Sequence, residues 1–513
     1  VILDFSSPID YLWALLPEVI LAVTGLLVLT LDVFQRGDRS GPSRAWVRWT
    51  AVAGVLAALL ANGYLLELEA PLRSGMIAMD TFRVATNFVI LGATVLALLF
   101  SFDYLRREGM DVGEFYFLIL MAAIGMMLLA GSRDLIVVFV SVELMSLAVY
   151  VLTGFNRRDP RSAEGALKYF LMGAFASGFL LYGIALLFGA TGSTNLALVT
   201  SEVARGAAEG NFLLYAGVAL LVVGFAFKIS AVPFHMWTPD AYEGAPTPVT
   251  GFMAAGVKAA GFAAILRIVT VELAPAASIW TPIFWWLAVL TMVIPNLIAL
   301  AQDNVKRMLA YSSIAHAGYL LVGVVAGSSA GRSAALLYLA VYAVMTLGAF
   351  ALVGVVSSAE GSRGGLADFR GLGWRRPLLG ALLVLFLLSL AGFPPTGGFI
   401  GKLYLLLAAV EAGHVTLAVI LVLTSFVSYY YYLRVIWKMY FEEAPEDAAL
   451  PAPAGAAFRL AAVAAAVVIL VAGLFPGRAI RMAEYAGEDL APRQVAPLSQ
   501  PAAPVGVTET STD

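Results

Sequence analysis

The chain has 513 residues, 61% hydrophobic and 13% charged, with a formal charge of −3 and a mean hydropathy of +0.88. Globular domains run about 45–50% apolar and about 25% charged, so 31 Lys+Arg and 34 Asp+Glu cannot clothe a soluble chain of this length. A soluble enzyme, a nucleic-acid binder and a disordered protein are excluded. The lack of cysteine removes disulfides, thiolate metal sites, iron–sulfur clusters and a Cys nucleophile. What remains is an all-α polytopic membrane protein.

A bilayer core of about 30 Å takes roughly 20 apolar residues per helix. Fourteen runs meet this need, near 11–33, 45–66, 80–102, 115–132, 134–155, 163–190, 211–236, 246–270, 280–301, 307–327, 333–357, 378–411, 414–438 and 456–475. The first is not read as a signal peptide, because Asp4 and Asp10 precede it where a basic region belongs. The chain starts at Val1 and not Met, so a trimmed or mis-numbered start is expected. Basic residues gather in alternate loops: Arg36, Arg39, Arg44 and Arg48, then Arg106 and Arg107, Arg157, Arg158 and Arg161, Lys306 and Arg307, and Arg363, Arg370, Arg375 and Arg376. The loops between hold only Arg73, Arg133, Arg205 and Arg332. Placing the basic loops in the cytoplasm puts both termini outside.

Two runs are expected to break. In run seven, Pro233 of KISAVPFH (228–235) removes a backbone donor and frees a carbonyl. In run twelve, AGFPPTGGFIGK (391–402) interrupts the helix more severely. Such backbone is tolerated in a membrane only where protein buries it or water lines it. The breaks stand five helices apart and each lies beside a lysine. This predicts two inverted five-helix repeats, 111–272 with a broken helix at 228–236 and 278–441 with one at 391–402. A three-helix segment (1–110) precedes them, a linker and last helix (442–478) follow, and 479–513 is expected to be disordered.

Four ionisable residues fall deep in runs: Glu143 in VFVSVELMSLAVY, Lys228 at the first break, Lys258 in FMAAGVKAAGFAAIL and Lys402 after the second break. Each costs about 2.5–3.5 kcal/mol to insert, roughly 10 kcal/mol together. Charges retained at that cost pair with one another or line a polar path. Each has a plainer reading: Glu143 and Lys228 as one structural ion pair, Lys258 and Lys402 as snorkelling side chains. Lys168 near a helix end, His316 inside run ten and His235 beside the first break are secondary relay candidates. A lysine shut from water binds its proton less tightly, and a nearby carboxylate restores that affinity. Moving one charge against about 150 mV costs about 3.5 kcal/mol, matched by a pKa swing of about 2.5. Opening or closing one ion pair supplies about 1–3. The chain carries no Walker loop, haem-ligand pair or cluster ligand, so a partner must supply the energy.

The segments AEGALKYF (163–170), FKISAVPFHMWTPDAYEGAPTPVT (227–250), QDNVKRMLAYSSIAHAG (302–318) and SLAGFPPTGGFIGK (389–402) resemble the antiporter-like subunits of respiratory complex I. The resemblance spans about 10–475 and is greatest to the N-type branch, for which Lys258 and Lys402 discriminate; the M-type is expected to carry Glu at the latter position. The chain ends about 35 residues past run fourteen, which would be too short for the lateral arm of the L-type.

The resemblance implies an essential carboxylate at Glu143, its paired lysine at Lys228, a connecting lysine at Lys258, a relay at His316 and a terminal lysine at Lys402. Protons would enter near Lys228, cross the middle laterally and leave near Lys402. It implies no cofactor or metal in this chain. NADH, FMN, iron–sulfur clusters and quinone would sit in partner subunits. Partners would be M-type and small K-type neighbours, the lateral helix of the L-type subunit, and lipids, in a prokaryotic inner membrane. Pro295-Asn296 stands where the family suggests Gly-Asn. Related subunits of multisubunit Na⁺/H⁺ antiporters or membrane-bound hydrogenases, and a non-pumping scaffold, are the alternatives. A quinone site at Trp285–Trp286 or the aromatic run 429–432 is disfavoured, because such aromatics are read as interface belts.

Overall fold

The computed structural model describes residues 8–34, 44–68, 75–357, 364–444 and 453–490. These residues are helical throughout apart from turns and three isolated bridges. Among the described residues twelve helices are long and apolar enough to cross a membrane. The two remaining runs are the expected breaks. Run seven stops as a helix at Lys228, and its second half, Thr238–Gly244, lies past the expected end at 236; run twelve divides into Pro377–Ala391 and Gly397–Glu411. A cis X–Pro bond lies in each break, at Val232–Pro233 and Pro394–Pro395.

Short polar residues start the helices. Asp134, Asp159, Asn195 and Asn304 each accept a hydrogen bond from a backbone N–H in the first turn they cap. The core sits around Thr247–Glu272, which is buried along its length. Gly251, Ala254, Ala255, Gly256, Ala259 and Ala260 leave it thin enough for neighbouring helices to close round it. Val305–Ala326 and Ser329–Val356 are almost as deeply buried beside it. The outer helices, such as Pro160–Thr191, turn bare apolar faces outward, with Phe175 and Tyr182 exposed.

Two bridges occupy corresponding places in the two proposed repeats. Asp134 pairs with Asn195, and Asn304 pairs with Gly365. The lysines do not correspond in the same way. Lys228 ends the half-helix before its break, whereas Lys402 lies in the half-helix after its break. Each lysine thus flanks its break, but on opposite sides of it.

Two short helices escaped the search for long apolar runs. Leu196–Glu209 is amphipathic, and its Thr200 hydroxyl donates to buried Glu272 at 2.7 Å. Gly477–Asp489 occupies the start of the segment expected to be disordered. It is ordered because its small face (Ala483, Ala486, Gly487) packs down while Met482 and Tyr485 face out. Arg332 Nε donates to the Gly487 carbonyl at 3.1 Å, and Asp489 accepts from the Thr81 N–H and hydroxyl at 2.9 and 2.8 Å. The remainder of that segment, 491–513, and the linker residues 445–452 lie outside the described residues.

The N-terminal segment is fastened by two buried ion pairs. Arg83 Nη2 donates to Glu18 at 2.7 Å, and Arg267 grips Asp80 with two bonds of 2.6 and 2.8 Å. Burial pushes the Asp80 carboxyl up, but the Arg267 charge and hydrogen bonds and the Arg83 N–H outweigh it and hold the group below its usual value.

Candidate functional site

The first break leaves backbone groups that the protein itself satisfies. Val232 N–H donates to Thr291 Oγ1 at 2.9 Å, and Trp237 Nε1 donates to the Phe227 carbonyl at 3.3 Å. Ser230 holds φ +62°, a left-handed conformation that side-chain-bearing residues seldom adopt. Lys228 at this break is buried. Its Nζ donates to Ser146 Oγ at 2.6 Å and faces the rings of Tyr150 (5.5 Å), Phe227 (5.6 Å) and Tyr169 (6.0 Å).

The expected contact between Glu143 and Lys228 is not formed. Half-buried Glu143 instead accepts from Ser177. Ser146, the partner of Lys228, lies three residues beyond Glu143 on the same helix face. The two groups remain within electrostatic reach.

Lys258 is buried at the centre of the bundle. The turn before it, Met253–Val257, is wound as a π-helix, a distortion that recurs at functional sites. Its Nζ bonds both the carbonyl and the hydroxyl of Ser313 at 2.5 Å, and Tyr342 donates to the same hydroxyl at 2.9 Å. A Cβ on Gly261, one turn along the Lys258 helix, would lie 3.1 Å from Ile229 and 3.9 Å from Lys228 Cβ. The small residue there brings the two lysine-bearing segments together.

His316 occupies the middle of a hydroxyl chain. Its Nδ1 meets the Tyr338 hydroxyl at 2.5 Å, and its Nε2 meets Tyr432 at 3.1 Å. Tyr432 also bonds Ser312, the neighbour of the Lys258 partner. Both Lys258 and Lys402 lie within electrostatic reach of the imidazole. Lys402 donates to the Leu390 and Ala391 carbonyls at 3.1 and 2.8 Å, at the open end of Pro377–Ala391. Its Nζ lies 4.8 Å from the Tyr319 ring centre. Gly392 allows this return: φ is +91°, and an added Cβ would fall 2.9 Å from Lys402 Cδ. Asn296, which follows Pro295, donates to the Tyr319 oxygen (3.1 Å) and accepts from Tyr431 (2.9 Å).

Lys168 lies apart from this line. Its side chain is 44% exposed and pairs with Glu164 (2.6 Å) and Asp240 (2.8 Å). Arg307 joins the cluster through Asp240 and Glu243, both at 2.8 Å. His235 is half-buried, with Nδ1 lacking a hydrogen-bond partner, and joins neither group. Among the described residues no cluster of three or more His, Cys, Asp or Glu could hold a metal ion.

The sequence reading missed Ser146, Ser177, Ser313, Tyr338, Tyr342, Asn296 and Tyr432. Helical spacing could have found Tyr431 and its neighbour Tyr432. Leu417, Leu421, Thr424, Ser428, Tyr431, Val435 and Met439 form one buried stripe at three- and four-residue steps. The interface-belt reading of these two tyrosines is thereby corrected; Tyr430, which points out, retains it.

Residues 132–428 match the family described as NADH:quinone oxidoreductase/Mrp antiporter, TM. The NADH-quinone oxidoreductase subunit N of Trichlorobacter lovleyi is 45% identical over 92% of this chain and 96% of its own length. A chain of respiratory complex I from Thermus thermophilus superposes with a TM-score of 0.76 at 36% identity, covering 91% of this chain and 99% of that one. A chain of an archaeal membrane-bound sulfane sulfur reductase superposes with 0.82 at 28% identity, covering 93% and 97%. Backbone shape is thus shared across several machines, while sequence identity favours one of them.

Proposed function

The chain belongs to the subunit N family of NADH-quinone oxidoreductase, and on that premise we propose that its buried lysines carry protons. It is an antiporter-like, multi-pass subunit of a proton-translocating respiratory complex in the prokaryotic inner membrane. In the proposed path a proton enters from the basic-loop face near Lys228, with Glu143 modulating that lysine through Ser146 and Ser177. It passes to Lys258, then by way of Ser313, Ser312, Tyr432, His316 and Tyr338 towards Lys402, and leaves on the other face.

The observation that carries this reading is the row of hydrogen-bonded polar groups between the Lys258 and Lys402 segments, Lys258 to Ser313 and Tyr342, and Ser312 through Tyr432 and His316 to Tyr338. Serine, tyrosine and neutral histidine each donate and accept, so such a line can be rewired one proton at a time. An apolar core of the same volume would be cheaper to insert, and a scaffold has no need of three buried amines.

In this reading the chain crosses the membrane fourteen times in two inverted repeats, with both termini outside. It holds no redox centre, and NADH, FMN, iron–sulfur clusters and quinone belong to partner subunits. The exposed apolar faces of the outer helices suit M-type and K-type neighbours, the lateral helix of the L-type subunit, and lipid.

The test is Lys228→Ala in the assembled complex, reconstituted in proteoliposomes. Proton pumping and coupled NADH:quinone turnover should both collapse while assembly is retained. Unchanged pumping and turnover would make the lysine structural. Glu143→Gln, which keeps shape and removes charge, should also impair pumping; full pumping would favour a scaffold.

A further inference from the structure

Asn296 is buried in Ala277–Leu300, one residue past Pro295. Proline there has no N–H, so the Thr291 carbonyl loses its ladder partner and the helix loosens at this turn. The turn is anchored from outside, because the Thr291 hydroxyl accepts from Val232 N–H of the first break.

An asparagine at such depth can be a plain filler that bonds its own helix. One amide hydrogen does so, donating to the Met292 carbonyl at 2.7 Å. The rest of the amide leaves the helix. Nδ2 donates to the Tyr319 hydroxyl oxygen at 3.1 Å, and Oδ1 accepts from the Tyr431 hydroxyl at 2.9 Å. These tyrosines belong to two other helices, Val305–Ala326 and Val415–Phe441. Gly318 makes the first reach possible: a Cβ there would fall 2.7 Å from the Met292 nitrogen, so the two helices meet backbone to backbone.

Tyr319 is fully buried, and its ring packs against both groups on which the proposed path ends. Its centre lies 4.8 Å from Lys402 Nζ and 5.3 Å from that of the His316 ring, edge-on at 85°. Two of the three Lys402 donors go to the Leu390 and Ala391 carbonyls. Among the described residues no carboxylate pairs with the amine, so the π-face of Tyr319 is a main support of its charge. The Tyr319 hydroxyl also has a second seat within reach. Thr424, Ser425 and Ser428 approach it, and Ser425 Oγ completes no hydrogen bond.

We propose that Asn296 is a positioning residue for Lys402: it holds the Tyr319 hydroxyl so that the ring stays against the ammonium while that lysine carries its proton. Without the amide the hydroxyl turns to Ser425, and the ring tilts away from the lysine. Asn296 itself neither takes nor gives a proton. The proposal rests on Lys402 being a proton carrier.

The experiment compares Asn296→Leu, Asn296→Gln, Tyr319→Phe, the double variant Asn296→Leu with Tyr319→Phe, and Lys402→Ala. Each is assayed as the assembled complex in proteoliposomes, with assembly read on a native gel and turnover counted per complex. Asn296→Leu keeps the volume and removes the amide, so coupled turnover should fall about two- to tenfold, the population shift of one neutral hydrogen bond, with the quinone KM unchanged. In Tyr319→Phe there is no hydroxyl to hold, so adding Asn296→Leu should cost little further. Asn296→Gln restores the amide and should recover part of the rate. A wild-type rate in Asn296→Leu, an equal loss from it in both backgrounds, or Asn296→Gln as impaired as Asn296→Leu overturns the positioning role. If Lys402→Ala is crippled while Asn296→Leu is silent, only this role fails; if Lys402→Ala is silent, the proton-path reading fails with it.

Discussion

Ser146→Ala is the sharpest probe of how Lys228 is held. The bond from Lys228 Nζ to Ser146 Oγ is 2.6 Å long and buried, and hydrogen bonds to charged groups contribute about 1.5–3 kcal/mol. The faces of Tyr150, Phe227 and Tyr169 are present before and after the change, so they neither add to the loss nor offset it. A weakening of about 1.5–3 kcal/mol follows, which lowers the occupancy of the seated lysine about 10- to 150-fold. The helix should persist, because alanine is the best helix former and the bond from Ser146 to the Val142 carbonyl one turn back is not part of the backbone ladder. Coupled NADH:quinone turnover and proton pumping in proteoliposomes should fall by that factor, and Ser146→Thr should recover most of it. A fully assembled Ser146→Ala complex that pumps like wild type would refute the serine as the link between Glu143 and Lys228.

Gly398→Ala should block assembly, because the new Cβ would lie 1.8 Å from the Ser389 carbonyl oxygen and overpacking costs about 1–3 kcal/mol or more. The intact complex on a native gel measures this; Gly178→Ala, whose Cβ would meet nothing within 4 Å, is the control, and equal bands would contradict the packing. Asp80→Asn strips buried Arg267 of its charge partner, at a cost of about 3–5 kcal/mol. Because the Asp80 carboxyl is held below its usual value, its contribution is complete above about pH 4 and is lost only as the pH falls through that lowered value. The difference in Tm between variant and wild type should stay constant from neutral pH to about pH 5; a gap closed by about pH 6 would contradict the pairing.

The apolar runs and both breaks were legible because a membrane forces each crossing to be written as about 20 apolar residues and each break to carry proline or glycine. The deep charges were legible for the same reason: Lys258 stands out against GVKAAG as it would not in a soluble helix. Their partners were hidden. Ser146, Ser177 and Ser313 look like any membrane serine until neighbouring helices place them. Whether Glu143 touches Lys228 depends on helix rotation, which hydropathy does not encode. Asp489 was lost because a short amphipathic helix lying on a bundle needs no apolar stretch. The departure at Pro295-Asn296 acquires a place only in three dimensions, where the Asn296 amide joins Tyr319 to Tyr431.

The clasp between Asp489 and Thr81 also has a meaning in time. These residues are 408 positions apart, and Gly455 N–H reaches back 352 positions to Asp103. A ribosome adding about 5–20 residues each second needs about 20–80 s to span the longer interval. Throughout that wait the helix Thr81–Glu108 stands in the bilayer without its last two neighbours. A chain truncated before Gly477 would therefore leave the Thr81 end of an early helix without its clasp.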